Sequence, residues 1–214
     1  FGAYNTDLVF PIFGPVQIPA LYLGLIVVMI PVTGNTINSI DVLNGVASGF
    51  MTIASFSLSI SLFVMQNYEM AIISLPLGFI SLAFYKYHKV PSKIFPGDSG
   101  ALTLGAMYGA IAIMGDVEIV AAVALLPAII NSFLFLSSVK KIIEHRQIKG
   151  KPVDHTEDFK LKATDDKNAP VTLVRLLLAG GPLSEKQVGY TIFRLAVFSG
   201  ILSIITAFLM GVRL

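Results

Sequence analysis

The chain contains no cysteine. A disulfide framework, a thiolate metal site and a cysteine nucleophile are therefore excluded. Charge is also scarce: 13% of the 214 residues are Asp, Glu, Lys or Arg, where an average soluble domain carries about 25%. The remainder is mostly apolar, with 55% hydrophobic residues and a mean hydropathy of +0.78. That is the composition of an integral membrane protein. The first residues, FGAYNTDLVF, lack an initiator Met, a basic leader and a small-residue cleavage site, so they do not form a signal peptide. They read as the middle of a longer protein.

Six apolar segments lie near 18–33, 46–66, 70–86, 99–115, 118–139 and 188–211. A spanning helix needs about 20 residues, so the segments predict an all-α, polytopic transmembrane helical bundle of about six transmembrane helices. Residues 1–214 read as one membrane domain, with 140–187 as a cytoplasmic loop within it. The links QNYEM and MGDVEI are short and acidic, whereas YKYHKVPSK and 140–187 are basic. Threading the chain so that 18–33 ends in the cytoplasm puts 13 of the 15 Lys and Arg residues on that side. Three polar segments then share the cytoplasmic face: NTINSIDVLNG, KVPSKIFPGDSG and the loop beginning SVKKIIEHRQIKGKP.

In the first, Asn35, Asn38, Asp41 and Asn44 recur every third residue and would form one face of a helix. Capping of the helix that starts near residue 45 accounts for one or two of them, and polar packing between helices is another structural use. In FPGDSG, Asp98 has the position of an N-cap. The same helix start also suits phosphate, provided a cation lies between phosphate and carboxylate. Mg²⁺ fits, because it takes few protein oxygens and completes its shell with water and phosphate. In the third, Arg146 could grip a diphosphate through two hydrogen bonds, with Lys residues around it as point charges. The same basic cluster also serves as a positive-inside anchor. His88 and His155 show no partner pattern in the sequence.

Together these segments resemble the polyprenyl-phosphate N-acetylhexosamine-1-phosphate transferase family. The resemblance rests on NTINSIDVLNGVASG, FPGDSG and HRQIK, which agree with the family in order, spacing and membrane side. It covers the whole chain, but only the C-terminal part of the family's fold. It leans toward the dolichyl-phosphate branch through Asn44 and NAPVTLVRLLLAGGPL. Asp41 looks bacterial instead, and the mixture suggests an archaeal enzyme. The family's paired-Asp motif has no counterpart before residue 34, and TDD at 164–166 reads as solvated loop.

The resemblance implies a Mg²⁺-dependent phosphoglycosyltransferase, with Mn²⁺ as the alternative ion. It implies Asn38 and Asp98 as metal ligands and Asp41 as a catalytic residue acting with Asn35 from behind them. Asn44 and the Phe95 backbone would read uracil, and His145 and Arg146 would hold diphosphate and sugar. The implied partners are a UDP-sugar, a polyprenyl or dolichyl phosphate, the membrane and the N-terminal part of the same protein. A homodimer is left open and nucleic acid is not a partner. A transporter or channel would need polar groups near the bilayer midplane, whereas these cluster at one face. A catalytically inactive scaffold subunit is the third reading, and intact Asn38 and Asp98 argue against it.

Overall fold

Pro19 opens the first membrane helix, where its missing N–H costs nothing. In the computed structural model, which describes residues 7–139 and 150–211, each of the six apolar segments is helical. Helices α1 (Pro19–Ile40), α2 (Val46–Val64), α3 (Tyr68–His88) and α4 (Gly97–Met114) are followed by α5 (Glu118–Ala124) and α6 (Leu126–Val139). A short α7 (Leu173–Leu177) and the long α8 (Glu185–Gly211) complete the set. Two antiparallel hairpins accompany them: β1 (Asp7–Phe10) with β2 (Gly14–Gln17), and β3 (Val153–His155) with β4 (Leu161–Ala163).

Among the described residues, α1, α2, α3 and α8 are long and apolar enough to cross a membrane, and the α5–α6 pair makes up to five. The chain is thus an all-helical membrane bundle. The difference from six has two causes. Helix α4 is 18 residues long and its first turn is the polar GDSG. The segment at 118–139 is two helices, bent by 75° at Leu125. Pro127 explains the break, since it has no N–H to donate back to Val123 and its ring clashes with that carbonyl.

Helix α2 is the core of the bundle, packing most extensively on α3 and α8, while α1 packs on α4. The α1–α4 crossing is made by small residues, as in many membrane helix pairs. A Cβ on Gly105 would lie 2.8 Å from the Gly34 Cα and closer still to the Thr33 carbonyl. Any larger residue there forces the helices apart.

The links sort to two ends. At one end Tyr22 donates to the Glu118 carboxylate, and the Asn67 amide reaches the Gly115 carbonyl. Asn67 also caps α3 by accepting the Met70 N–H. At the other end the α1–α2 turn meets the α3–α4 link through Asp41 and His88, and Asn131 ties the end of α1 to the segment 150–184.

Candidate functional site

The three-residue spacing of Asn35, Asn38, Asp41 and Asn44 does not form one helical face. Helix α1 ends at Ile40 with Asp41 as its C-cap, and α2 starts behind Gly45, whose φ of 82° is left-handed. Gly45 is required on two counts: its conformation, and the Lys89 Cα and Tyr85 ring, each 3.0 Å from where a Cβ would stand. Asn35 and Asn38 thus stay on the helix, while Asp41 and Asn44 turn toward different neighbours.

Asn35 is exposed and donates to the Pro31 carbonyl, 2.8 Å away on its own helix. Asn38 is half-buried, and its side-chain amide has no hydrogen bond with the described residues. None of the described residues engages its oxygen. Asp41 is more deeply placed. Burial pushes its carboxyl up to about 6, the Ala47 N–H in the first turn of α2 pulls it partly back, and the charge of Asp98 adds to the rise.

Asp98 comes from the other junction. It sits in the first turn of α4, but the N-cap is Pro96, and no side chain caps that helix. The capping use considered for Asp98 is not what the structure shows. Its carboxylate is exposed, at the end of the helix dipole that favours negative charge. From the Gly34–Gly105 crossing, Asn38 lies four residues and Asp98 seven toward this same end, or about 6 Å and about 10 Å of helix rise. The crossing therefore places both at the same end of the bundle, Asp98 about one helical turn beyond Asn38.

His88, which shows no pattern in the sequence, links the two junctions. It is buried, with Nδ1 2.9 Å from the Ser48 hydroxyl and Nε2 3.8 Å from the Asp41 carboxylate. The second distance is an ion-pair separation rather than a hydrogen bond. The Phe95 ring stacks edge-on against His88, with centroids 5.9 Å apart. Phe95 is otherwise 69% exposed and faces outward beside Asp41's partner.

Asn44 turns to α8. Its backbone N–H donates to Glu185 Oε1 at 2.8 Å and its Nδ2 to Oε2 at 3.2 Å. The sequence reading missed Glu185. The signal was present in SEKQ: Ser184 and Gln187 form the reciprocal capping box that starts α8 and fixes Glu185 in its first turn.

The segment 150–184 is structured rather than a free loop. Leu161 and Leu183 exchange backbone hydrogen bonds, tying the β3–β4 hairpin to the start of α8. Arg175 donates to the carbonyls of Thr164, Asp166, Ala169 and Pro170, so this cation staples the segment. Between it and the bundle lies a cavity of about 580 Å³, lined by Ser39, Leu43, Asn131, His155, Thr172 and Glu185 among others. That volume is ordinary for a small-molecule site. His145 and Arg146 lie outside the described residues.

The donor set suits a cation that takes few protein ligands. Among the described residues no three His, Asp or Glu converge as a metal cluster. Present instead are the Asp41 carboxylate, raised by burial and in part by the charge of Asp98, and an Asn38 amide oxygen that none of the described residues engages. Mg²⁺ commonly accepts one or two carboxylates, with phosphate and water filling the remaining positions.

Residues 2–116 match the description Glycosyl transferase family 4. A phospho-N-acetylmuramoyl-pentapeptide-transferase of Clostridium beijerinckii is 33% identical over 118 residues, 54% of this chain and 36% of that protein. The "Putative glycosyltransferase MJ1113" of Methanocaldococcus jannaschii is 31% identical over 184 residues, 85% of this chain and 58% of that protein. The chain thus spans less than two thirds of these relatives' length. The matched span of 115 residues holds both junctions, with Asn38, Asp41, Asn44 and Asp98. The chain belongs to glycosyl transferase family 4.

Proposed function

We propose that this chain carries the metal side and the nucleotide side of a transferase that moves a sugar 1-phosphate from a UDP-sugar to a polyprenyl phosphate. The sugar proposed is N-acetylglucosamine and the lipid dolichyl phosphate, in the first membrane step of N-glycan assembly. The active end faces the cytoplasm, in an archaeal cell membrane or, in a eukaryote, the endoplasmic reticulum. The observation that carries the reading is that the two junctions meet at Asp41 and His88, 3.8 Å apart, beside an Asn38 amide that none of the described residues engages, with the charge of Asp98 adding to the rise of Asp41. Family membership supports the reaction class. The choice of sugar and lipid rests on Asn44 and NAPVTLVRLLLAGGPL.

In this reaction an oxygen of the lipid phosphate attacks the phosphorus that bears the sugar. The bond from that phosphorus to UMP breaks, UMP leaves with the electron pair, and a lipid-diphospho-sugar remains. Positioning and charge neutralisation do most of the work. Asn38 and Asp98 would hold Mg²⁺, which neutralises diphosphate charge when bound. Asp41, held by burial beside His88, orients these ligands together with Asn35. Asn44 and the Phe95 backbone hold the uracil, and His145 and Arg146 hold the diphosphate and sugar.

The names of the bacterial relatives favour a second reading, with phospho-N-acetylmuramoyl-pentapeptide as the transferred group. One experiment tests both. The full-length protein is reconstituted with dolichyl phosphate, Mg²⁺ and each UDP-sugar in turn. Lipid-linked GlcNAc with equimolar UMP is expected, with loss on chelation and recovery on adding Mg²⁺. Product from the muramoyl donor alone selects the second reading, and no lipid-linked product from either donor overturns both.

A further inference from the structure

Asn44 and Glu185 are 141 residues apart, and each carboxylate oxygen of Glu185 takes one hydrogen from Asn44. A carboxylate offers acceptors only. The NH₂ end of the Asn44 amide must therefore be the end that faces it. The usual ambiguity between the oxygen and nitrogen of an amide is removed by chemistry. The Oδ1 atom is turned away from Glu185, and none of the described residues donates to it. Glu185 is itself fixed. The Ser184–Gln187 capping box sets the first turn of α8, and the Leu161–Leu183 pair anchors the residue two positions earlier. Both residues border a cavity of about 140 Å³ whose walls include Tyr85, Tyr190 and Phe193.

We infer that Glu185 is a specificity-determining positioning residue: it locks the Asn44 amide with its oxygen outward, so that the site accepts a base carrying N3–H and selects uracil over cytosine. The inference rests on the proposed role of Asn44 as the base reader. Uracil presents a donor at N3 and a carbonyl beside it. An outward Oδ1 accepts from that donor, and the second Nδ2 hydrogen remains for the carbonyl. On its N3–C4 edge cytosine presents a bare N3 and an amino group, so both contacts are mismatched there, and the N3 contact is mismatched on either edge. An amide free to rotate would accept either base, and the carboxylate behind it forbids that rotation.

The test replaces the acceptor with a group that also donates. In Glu185→Gln the new NH₂ favours Asn44 turned over, with its oxygen inward and its NH₂ outward. Binding of UMP and CMP to the full-length protein is measured by calorimetry, with kcat and KM for the UDP- and CDP-sugars. The wild type is expected to prefer UMP. Glu185→Gln is expected to lower the UMP-to-CMP affinity ratio about 5- to 150-fold, the scale of one mismatched hydrogen bond. The change should fall on KM with kcat little altered, and Glu185→Asp should restore the uridine preference. If Glu185→Gln does not fold, Glu185→Ala frees the amide and should lower the ratio at least about 5-fold on the same scale. A wild type that does not distinguish UMP from CMP overturns the base-reading role of Asn44 itself. A uridine preference unchanged in whichever variant folds overturns only the role of Glu185.

Discussion

Asn131, near the middle of α6, joins the end of α1 to α7. Its Nδ2 donates to the Ser39 carbonyl at 3.0 Å, and its Oδ1 accepts the Leu173 N–H at 2.9 Å. The side chain is 3% exposed, so its removal takes a buried hydrogen bond from each partner. Asn131→Leu is expected to destabilise the detergent-solubilised protein by about 2–4 kcal/mol, from two buried groups left unpaired. A melting temperature equal to the parent's would show that the 150–184 segment does not depend on this bridge.

Asp98→Asn separates chemistry from stability. The carboxylate is exposed and does not cap α4, so the change in stability is expected to stay within about 0.5 kcal/mol. The kcat of the full-length enzyme is expected to fall at least about 100-fold, the scale of losing a key electrostatic element. A folded and fully active variant removes Asp98 from the metal site.

Asp41 gives a pH signature. Its folded pKa of about 6 lies above the ordinary value of 3.8. The folded state therefore holds the proton longer, and stability falls as pH rises from about 4 to about 6, then levels off. Without divalent cations, Asp41→Asn is expected to melt higher than the parent at pH 7.5, with the gain shrinking at pH 5. Added Mg²⁺ favours the ionised carboxylate and is expected to raise the parent's melting temperature more than the variant's. A stability difference independent of pH would contradict the raised pKa.

The two amides should differ in kinetics. Asn44→Ala keeps its backbone bond to Glu185 but loses the side chain, and is expected to raise KM for the UDP-sugar about 5- to 150-fold. Asn38→Ala removes a proposed metal ligand and is expected to lower kcat and raise the Mg²⁺ requirement. Equal kcat losses with unchanged KM would place both on the metal side.

Lys151 is exposed and borders the 580 Å³ cavity. The 214 residues hold no cysteine, so Lys151→Cys in an otherwise cysteine-free full-length protein gives a single reporter. An impermeant thiol reagent is expected to label it in permeabilised cells and not in intact ones. Labelling in intact cells reverses the membrane orientation.

Hydropathy made the helices legible, because a run of apolar residues buries its backbone polar groups only as a helix. The bend at Leu125 was not read, although Pro127 carries the signal. The polar junctions were also legible, since Asn and Asp at the end of a greasy segment need a reason. Their neighbours were not: His88 acquires Ser48 and Asp41, and Asn44 acquires Glu185, through contacts between residues far apart in the chain. No local period encodes such pairs. The even spacing from Asn35 to Asn44 suggested one face because it was extended past Ile40, where the backbone unwinds into the Gly45 turn.

At the Gly34–Gly105 crossing, main chain rests directly on main chain. Side chains elsewhere in the bundle change rotamer to absorb a poor fit, but this contact has no rotamers to change. The gap between the α1 and α4 junctions is therefore a manufacturing tolerance set by peptide geometry. Variation in the lipid-facing side chains leaves that gap alone, so the outer surface can be re-dressed for different membranes while the distance across the proposed metal cleft stays constant.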